Sequence, residues 1–332
     1  MNDLKKMSAY ICRKKNKFIE ACTRSAAVQR LFGIDMNCGM DHTSAERFQN
    51  MSPYSRAMHS VDAAYIAAHF TDDPRVVASV LFHDIATPVF SHVIDFLHHD
   101  YTHQETTESL TQVFIEQDEE IMCCLEKVGL SVDDVCDYHR YPIADNDIPK
   151  LSSDRLEYTL CNMINYGFSD FEEAASYYDD LTLVCNEEGE QEIAFRSVDK
   201  AVGFAYRALA CSHVYASDFD RYAMDVLADI VREAIGSGIV TERDLYTCSE
   251  LAFIRKMCRN ETICSKWEKF TQLSEVVSCR PDEPGAKVVD AKKRYIDPLV
   301  VDRGRATSLD EQLHNAIKEW LNRPFDSALI AK

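Results

Sequence analysis

The chain has 332 residues, enough for one large domain or two modest ones with a real buried core. Asp and Glu number 55 against 36 Lys and Arg, a net charge of −19, and a field of that sign repels a phosphate backbone, which argues against duplex nucleic acid and anionic membranes as partners. With 46% hydrophobic residues, only 10 Gly and only 9 Pro, the composition argues against wholesale disorder and a turn-rich β fold, and points to helices.

In chain order, the opening "MNDLKKMSAYICRKKNKF" carries charge without the apolar stretch of a secretory signal. No apolar run approaches the ~18 residues of a membrane span. The 13 cysteines follow no CxxC or paired zinc-ribbon spacing and read as reduced residues of a cytoplasmic protein. In "SRAMHSVDAAYIAAHF", Met58, Val61, Tyr65 and Ala68 recur at helical spacing, and "DPRVVASVLFHD" carries a similar stripe through Val77, Val80, Leu81 and Asp84. Thr87-Pro88 interrupts that helix, because a residue before proline avoids α geometry. A further helix is expected from Phe90, with Phe90, Ile94 and Leu97 on one side, and others at 104–128, 154–166, 170–180, 199–235, 241–259 and 309–322. "LTLVCNEEGEQEIAFRSVD" alternates apolar and polar residues about a Glu-Gly turn and predicts a short β-hairpin. Residues 278–304 hold three prolines and short β-branched runs, and predict a partly extended connection to the last helix.

Five of the eleven histidines fall between Val80 and Glu108. His83-Asp84 closes a predicted helix, and His92 and Asp95 stand at i and i+3 on the next, hence on a common face. His59 follows Arg56 on the preceding helix. Two antiparallel helices joined by a short loop bring His59 near His83, and a carboxylate from further along would complete a mixed nitrogen–oxygen cage. Each residue alone has a plainer explanation. His59 reads as a satisfied core histidine, Asp154 as part of the D-x-x-E capping box of "DRLE", Tyr158 as aromatic packing, and His98-His99 as surface. His69, His139, His213 and His314 read as structural.

The ordered elements "RAMHS", "FHD" and "SSDRLEY" resemble the H…HD…D signature of the HD-domain metal-dependent phosphohydrolases. The nearer resemblance is to the deoxynucleoside-triphosphate triphosphohydrolase branch, which includes the bacterial dGTPases. It extends through "AAVQRLFGI", "HDIATPVFSHVID", "YTHQE" and "SVDKAVGFAYRAL", from about residue 25 to residue 235. The resemblance implies an all-α fold: an HD-domain helical core over 1–240 with a small β-hairpin, and a helical C-terminal region over 241–332, partly extended at 278–304.

It also implies an enzyme, a hydrolase of phosphate esters or anhydrides acting on a nucleotide, with a deoxynucleoside phosphate as the expected class. The implied metal ligands are His59, His83, Asp84 and Asp154, a donor set that suits one divalent Mn, Fe, Ni, Co or Zn, or Mg through water. The implied proton-transfer pair is His92 with Asp95. The implied substrate contacts are Arg56, His103, Arg155 and Tyr158, with Asn162 in place of a sugar-binding aspartate. Family members are usually oligomeric, so a homo-oligomer is expected. Two departures stand out. The family's histidine three residues after the HD aspartate is Thr87 here, and its basic "LHR…Y" segment reads "VYASDFDRY", with Arg221 the sole cation. These departures keep two alternatives open: a phosphomonoesterase or pyrophosphohydrolase with a shorter phosphate requirement, and a catalytically weak metal-binding nucleotide sensor.

Overall fold

The three helices that build the site each begin where a side chain accepts from the bare N–H groups of the first turn. Ser55 accepts from the backbone N–H of Met58 and opens Arg56–Phe70; Asp73 accepts from that of Arg75 and opens Pro74–Phe82, with proline where no N–H is needed. Ser152 accepts from that of Arg155 and opens Ser153–Asn165. The cap of this last helix is therefore Ser152, not Asp154, which leaves both Asp154 and Glu157 available for the site. The computed structural model describes residues 2–97 and 110–332. His98, His99 and His103 lie outside the described residues, as does the start of the helix expected at 104–128; its described part is two helices, Thr111–Glu116 and Glu119–Val128, parted by the Asp118 cap.

The molecule is mostly helical with small sheets, as the composition predicts. The expected hairpin is present as β1 (Leu181–Cys185) and β2 (Gln191–Phe195), antiparallel with Leu181 opposite Phe195. Beyond it, β3 (Val276–Cys279), β4 (Leu299–Val300), β5 (Gly304–Arg305) and β6 (Ala328–Ala331) complete two sheets, in the orders β1-β2-β4-β5 and β3-β6.

The long helix expected over 199–235 is two, Val198–Tyr215 and Asp218–Gly236, because Ser217 caps the second by accepting from the N–H of Asp220. The region 241–259 divides likewise into Glu242–Thr247 and Glu250–Met257, the latter capped by Ser249. Residues 309–322 form Ala306–Leu309 and Glu311–Asn322. A helix that periodicity had not singled out, Glu261–Thr271, starts at Asn260, whose side chain accepts from Thr262 and Ile263. The helix expected from Phe90 starts instead at Val93, because Phe90 and Ser91 both hold positive φ, at 62° and 50°.

Apolar burial gathers in two large clusters. One joins Ile66, Leu81 and Leu160 to Ile296, Leu313 and Trp320. The other joins Leu31, Phe90 and Leu227 to Phe253, Trp267 and Leu329. Residues after 240 therefore contribute to both cores. Among the described residues no helix is long and apolar enough to cross a membrane.

Candidate metal centre and its cleft

The short Thr71–Asp73 connection folds Pro74–Phe82 back against Arg56–Phe70, and Ser153–Asn165 packs across the same helix. These three elements bring His59, His83, Asp84 and Asp154 together. The two imidazole Nε2 atoms lie 3.1 Å apart, and Asp154 Oδ1 is 3.0 Å from His59 Nε2 and 3.6 Å from His83 Nε2. Asp84 Oδ2 is 3.6 Å from His83 Nε2 and 3.9 Å from His59 Nε2. His59 is almost wholly buried.

The tautomers follow from the outer partners. His83 Nδ1 is 2.6 Å from the carbonyl of Val80, which only accepts, so Nδ1 carries the proton and Nε2 the lone pair. His59 Nδ1 meets the Glu157 carboxylate in the same way. Both Nε2 lone pairs then aim at one point, with a carboxylate oxygen beside it. Two facing lone pairs repel unless a cation or a shared proton lies between them, and two imidazoles with carboxylates make a donor set suited to a divalent transition metal. His59, His83 and Asp154 form a candidate metal-binding group on these grounds.

Burial opposes charge on His59, but Glu157 and Asp154 outweigh it and lift its pKa to about 10, so without a cation Nε2 holds a proton at neutral pH that a divalent ion would displace. Burial likewise opposes charge on Asp84, and Arg56 with the two imidazoles holds its carboxyl far below the usual range. Arg56 donates to Asp84 Oδ2 at 2.9 Å and to Ser91 Oγ at 3.1 Å. The hydroxyl of Thr87 donates to Asp84 Oδ1 at 2.9 Å. Thr87, which stands where the resemblance implied a histidine, thus helps orient an expected ligand.

Around this centre opens a cleft of about 720 Å³. His92 lines it, half-buried, with Nδ1 3.1 Å from the buried Asp95 Oδ2. Burial pulls the His92 pKa below its ordinary value, with Asp95 opposing and the charges of Arg56 and Arg294 adding to the fall. Arg155 lines the wall but is held by Asp145 at 2.8 Å and by the carbonyl of Lys150 at 3.0 Å. Tyr158, Tyr166 and Tyr215 line the cleft, with Tyr215 edge-on to each of the other two rings. Asn162 Nδ2 donates to the Tyr215 hydroxyl at 2.8 Å, while its buried Oδ1 has no partner among the described residues. His103 lies outside the described residues.

Several residues in the cleft or behind it escaped sequence reasoning. Glu157, fully buried, accepts from Tyr54, His59 and Cys161, yet in "DRLE" it looks like a capping residue. His139, read as structural, lines the cleft 3.1 Å from Asp145. Lys150, Lys292 and Arg294 also line it, and no local motif marks them. Arg221 is buried elsewhere, donating to Asp218 and to the carbonyl of Val289.

No family model matches the chain. It is 24% identical over 285 residues to the uncharacterized protein YdhJ of Bacillus subtilis, covering 85% of this chain and 83% of that one. A hypothetical protein of Aquifex aeolicus of solved structure superposes with a TM-score of 0.59 at 14% identity, over 90% of this chain and 89% of that one. That likeness establishes a shared fold. A phosphohydrolase of Bacteroides thetaiotaomicron aligns at a TM-score of 0.47 and 17% identity, over 77% of this chain and 66% of that one, which is too loose to carry an argument.

Proposed function

We propose that this chain is a metal-dependent phosphohydrolase of the HD-domain kind, acting on a nucleotide and most readily on a deoxynucleoside phosphate. The carrying observation is the convergence of the His59 and His83 Nε2 lone pairs with Asp154, beside Asp84, at the edge of a cleft. A divalent metal held by these four residues would supply Lewis-acid activation of a phosphoryl oxygen and of water. His92, with Asp95 on its Nδ1, keeps Nε2 for proton exchange, and its lowered pKa leaves it neutral near pH 7, ready to take a proton. Arg56 holds Asp84 in place and brings positive charge to the phosphate end. The tyrosine-lined end suits a nucleoside, whose flat base and hydroxyls match aromatic faces and the unsatisfied Asn162 Oδ1.

The test is a hydrolysis panel with Mn-loaded protein against nucleoside mono-, di- and triphosphates, with products separated by chromatography. Release of intact triphosphate supports the triphosphohydrolase form of the proposal; release of inorganic phosphate alone reassigns the cleft to a shorter phosphate chain. Silence from protein with metal bound overturns catalysis and leaves a nucleotide sensor. His92→Ala should keep the metal and lose turnover at least about a hundredfold; unchanged turnover would remove His92 from the proton-transfer role.

A further inference from the structure

The segment that reads "VVDAKKRYIDP" in the sequence lies in neither helix nor strand from Val288 to Pro298, yet it is fastened along its whole length. At its start, Lys287 exchanges both backbone hydrogen bonds with Leu329, at 2.9 and 2.8 Å, and its Nζ reaches Asp225 and Asp229 at 2.5 Å each. In its middle, Arg221 donates to the carbonyl of Val289, and Trp320 Nε1 donates to that of Arg294 at 3.0 Å. At its end, the Asp297 N–H donates to Pro149 O at 3.0 Å, and the Asp297 carbonyl accepts from Arg305 at 3.1 Å. Val289, Ala291 and Ile296 are buried beneath it.

A strap held this way has fixed faces. Lys293 turns outward and donates to the carbonyls of Leu321 and Arg323 at the end of the Glu311–Asn322 helix. Its neighbours Lys292 and Arg294, with Ala291, line the cleft. The charge of Arg294 is felt by His92, Tyr158 and Asp220, which places it toward the proton-transfer histidine and the tyrosine wall. Arg221, the one cation left in "VYASDFDRY", does not face the cleft. It lies under the strap with its guanidinium 4.5 Å from the Phe325 ring centre and holds the strap's backbone.

We propose that this strap is a clamp for the anionic part of the substrate, with Lys292 and Arg294 gripping phosphate oxygens beyond the phosphoryl group at the metal. The proposal rests on the phosphohydrolase reading for the location of that phosphoryl group. A polyphosphate tail needs several charge-assisted hydrogen bonds, and a guanidinium presents its donors in a fork that matches phosphate oxygens. The anchors remove most of the ordering cost that a loose loop would carry on binding. In this molecule the cationic grip comes from a segment far along the chain, while Arg221, the sole cation of "VYASDFDRY", serves as an anchor.

The test uses the full chain loaded with Mn, and inorganic tripolyphosphate as the probe. Binding is read by calorimetry, metal content by elemental analysis, and turnover on the best nucleotide of the panel. Lys292→Gln and Arg294→Gln should each weaken tripolyphosphate about tenfold or more, with metal content unchanged and the loss falling on KM rather than kcat. Arg294→Lys should recover part of the affinity, and Lys318→Gln, an exposed cation of the Glu311–Asn322 helix outside the cleft lining, should bind like the parent. If Arg294→Gln does not fold, Lys292→Gln alone decides. Parent-like affinity in the glutamine variants at 292 and 294, equal losses in Lys318→Gln, or a metal-loaded parent that does not bind tripolyphosphate would overturn the clamp. Strap-dependent binding without turnover of any nucleotide would uphold the clamp and defeat the phosphohydrolase reading.

Discussion

At the scale of single residues, the site depends on carboxylates that never meet solvent. Glu157 holds the Nδ1 proton of His59 and so decides which nitrogen is offered to a metal. Glu157→Gln keeps the shape and removes the charge. It should weaken Mn binding about ten- to a hundredfold in a chelator-competition titration; unaltered affinity would mean that His59 is not a ligand. His83→Ala should abolish metal content outright. A second cluster, Asp35, His42 and Glu250, has a consequence for pH. Burial, then the charges of Glu250 and Asp41, push the Asp35 carboxyl up to about 7. A raised carboxyl binds its proton more tightly folded than unfolded, so its contribution falls as pH rises from about 4 toward 7. Asp35→Asn should therefore stabilise the protein by about 1 kcal/mol at pH 8 and much less at pH 5, as read by urea unfolding. An equal effect at both pH values would rule out a buried charge as the cause. His59, His83, Asp84 and Asp154 stood out in the sequence because each sits in a short local string. Glu157 did not, because its partner is far away in the chain and its local spacing imitates a helix cap.

At the scale of elements, caps and backbone handedness set what periodicity could not. A run of helical spacing from 199 to 235 conceals a break: the first helix buries Phe204 and Leu209 in one core, and after Ser217 caps the second, Leu227 and Val231 are buried in the other. Asn260 before "ETICSKWEKFT" is a cap signal that could have revealed the helix at Glu261–Thr271. The left-handed pair Phe90-Ser91 has no such mark, because neither residue type favours that conformation. It delays the helix to Val93 and lets Ser91 bridge the Asp35 carbonyl and Arg56. Gly39 faces Phe90 with φ of +81°, and a Cβ there would lie 2.7 Å from Leu227 and 3.0 Å from Phe90. Gly39→Ala should cost about 1–3 kcal/mol in unfolding free energy. A change within about 0.5 kcal/mol would show that Phe90 and Leu227 move aside without cost.

At the scale of the whole molecule, both apolar cores are closed by residues after 240. Phe253, Trp267 and Phe270 complete one, and Leu313, Ile317 and Trp320 the other. A chain ending at residue 240 should therefore lose cooperative thermal unfolding and gain dye-binding apolar surface; a sharp transition like the parent's would show that the first 240 residues fold as a unit. The fold class was legible from composition and spacing. The cleft was legible on one side only. Its other wall is a strap whose residues carry no periodicity and whose position is set by partners such as Leu329 and Pro149.

The pairing of Lys287 with Leu329 has a temporal meaning as well. A chain emerges from the ribosome from its first residue onward, but a domain folds as a unit once its core residues are out. Both cores draw on residues after 240, and the strap is tied to Leu329 on β6, which pairs with β3. The ligand set and the strap that walls the cleft therefore reach their final geometry together, late in synthesis rather than in sequence.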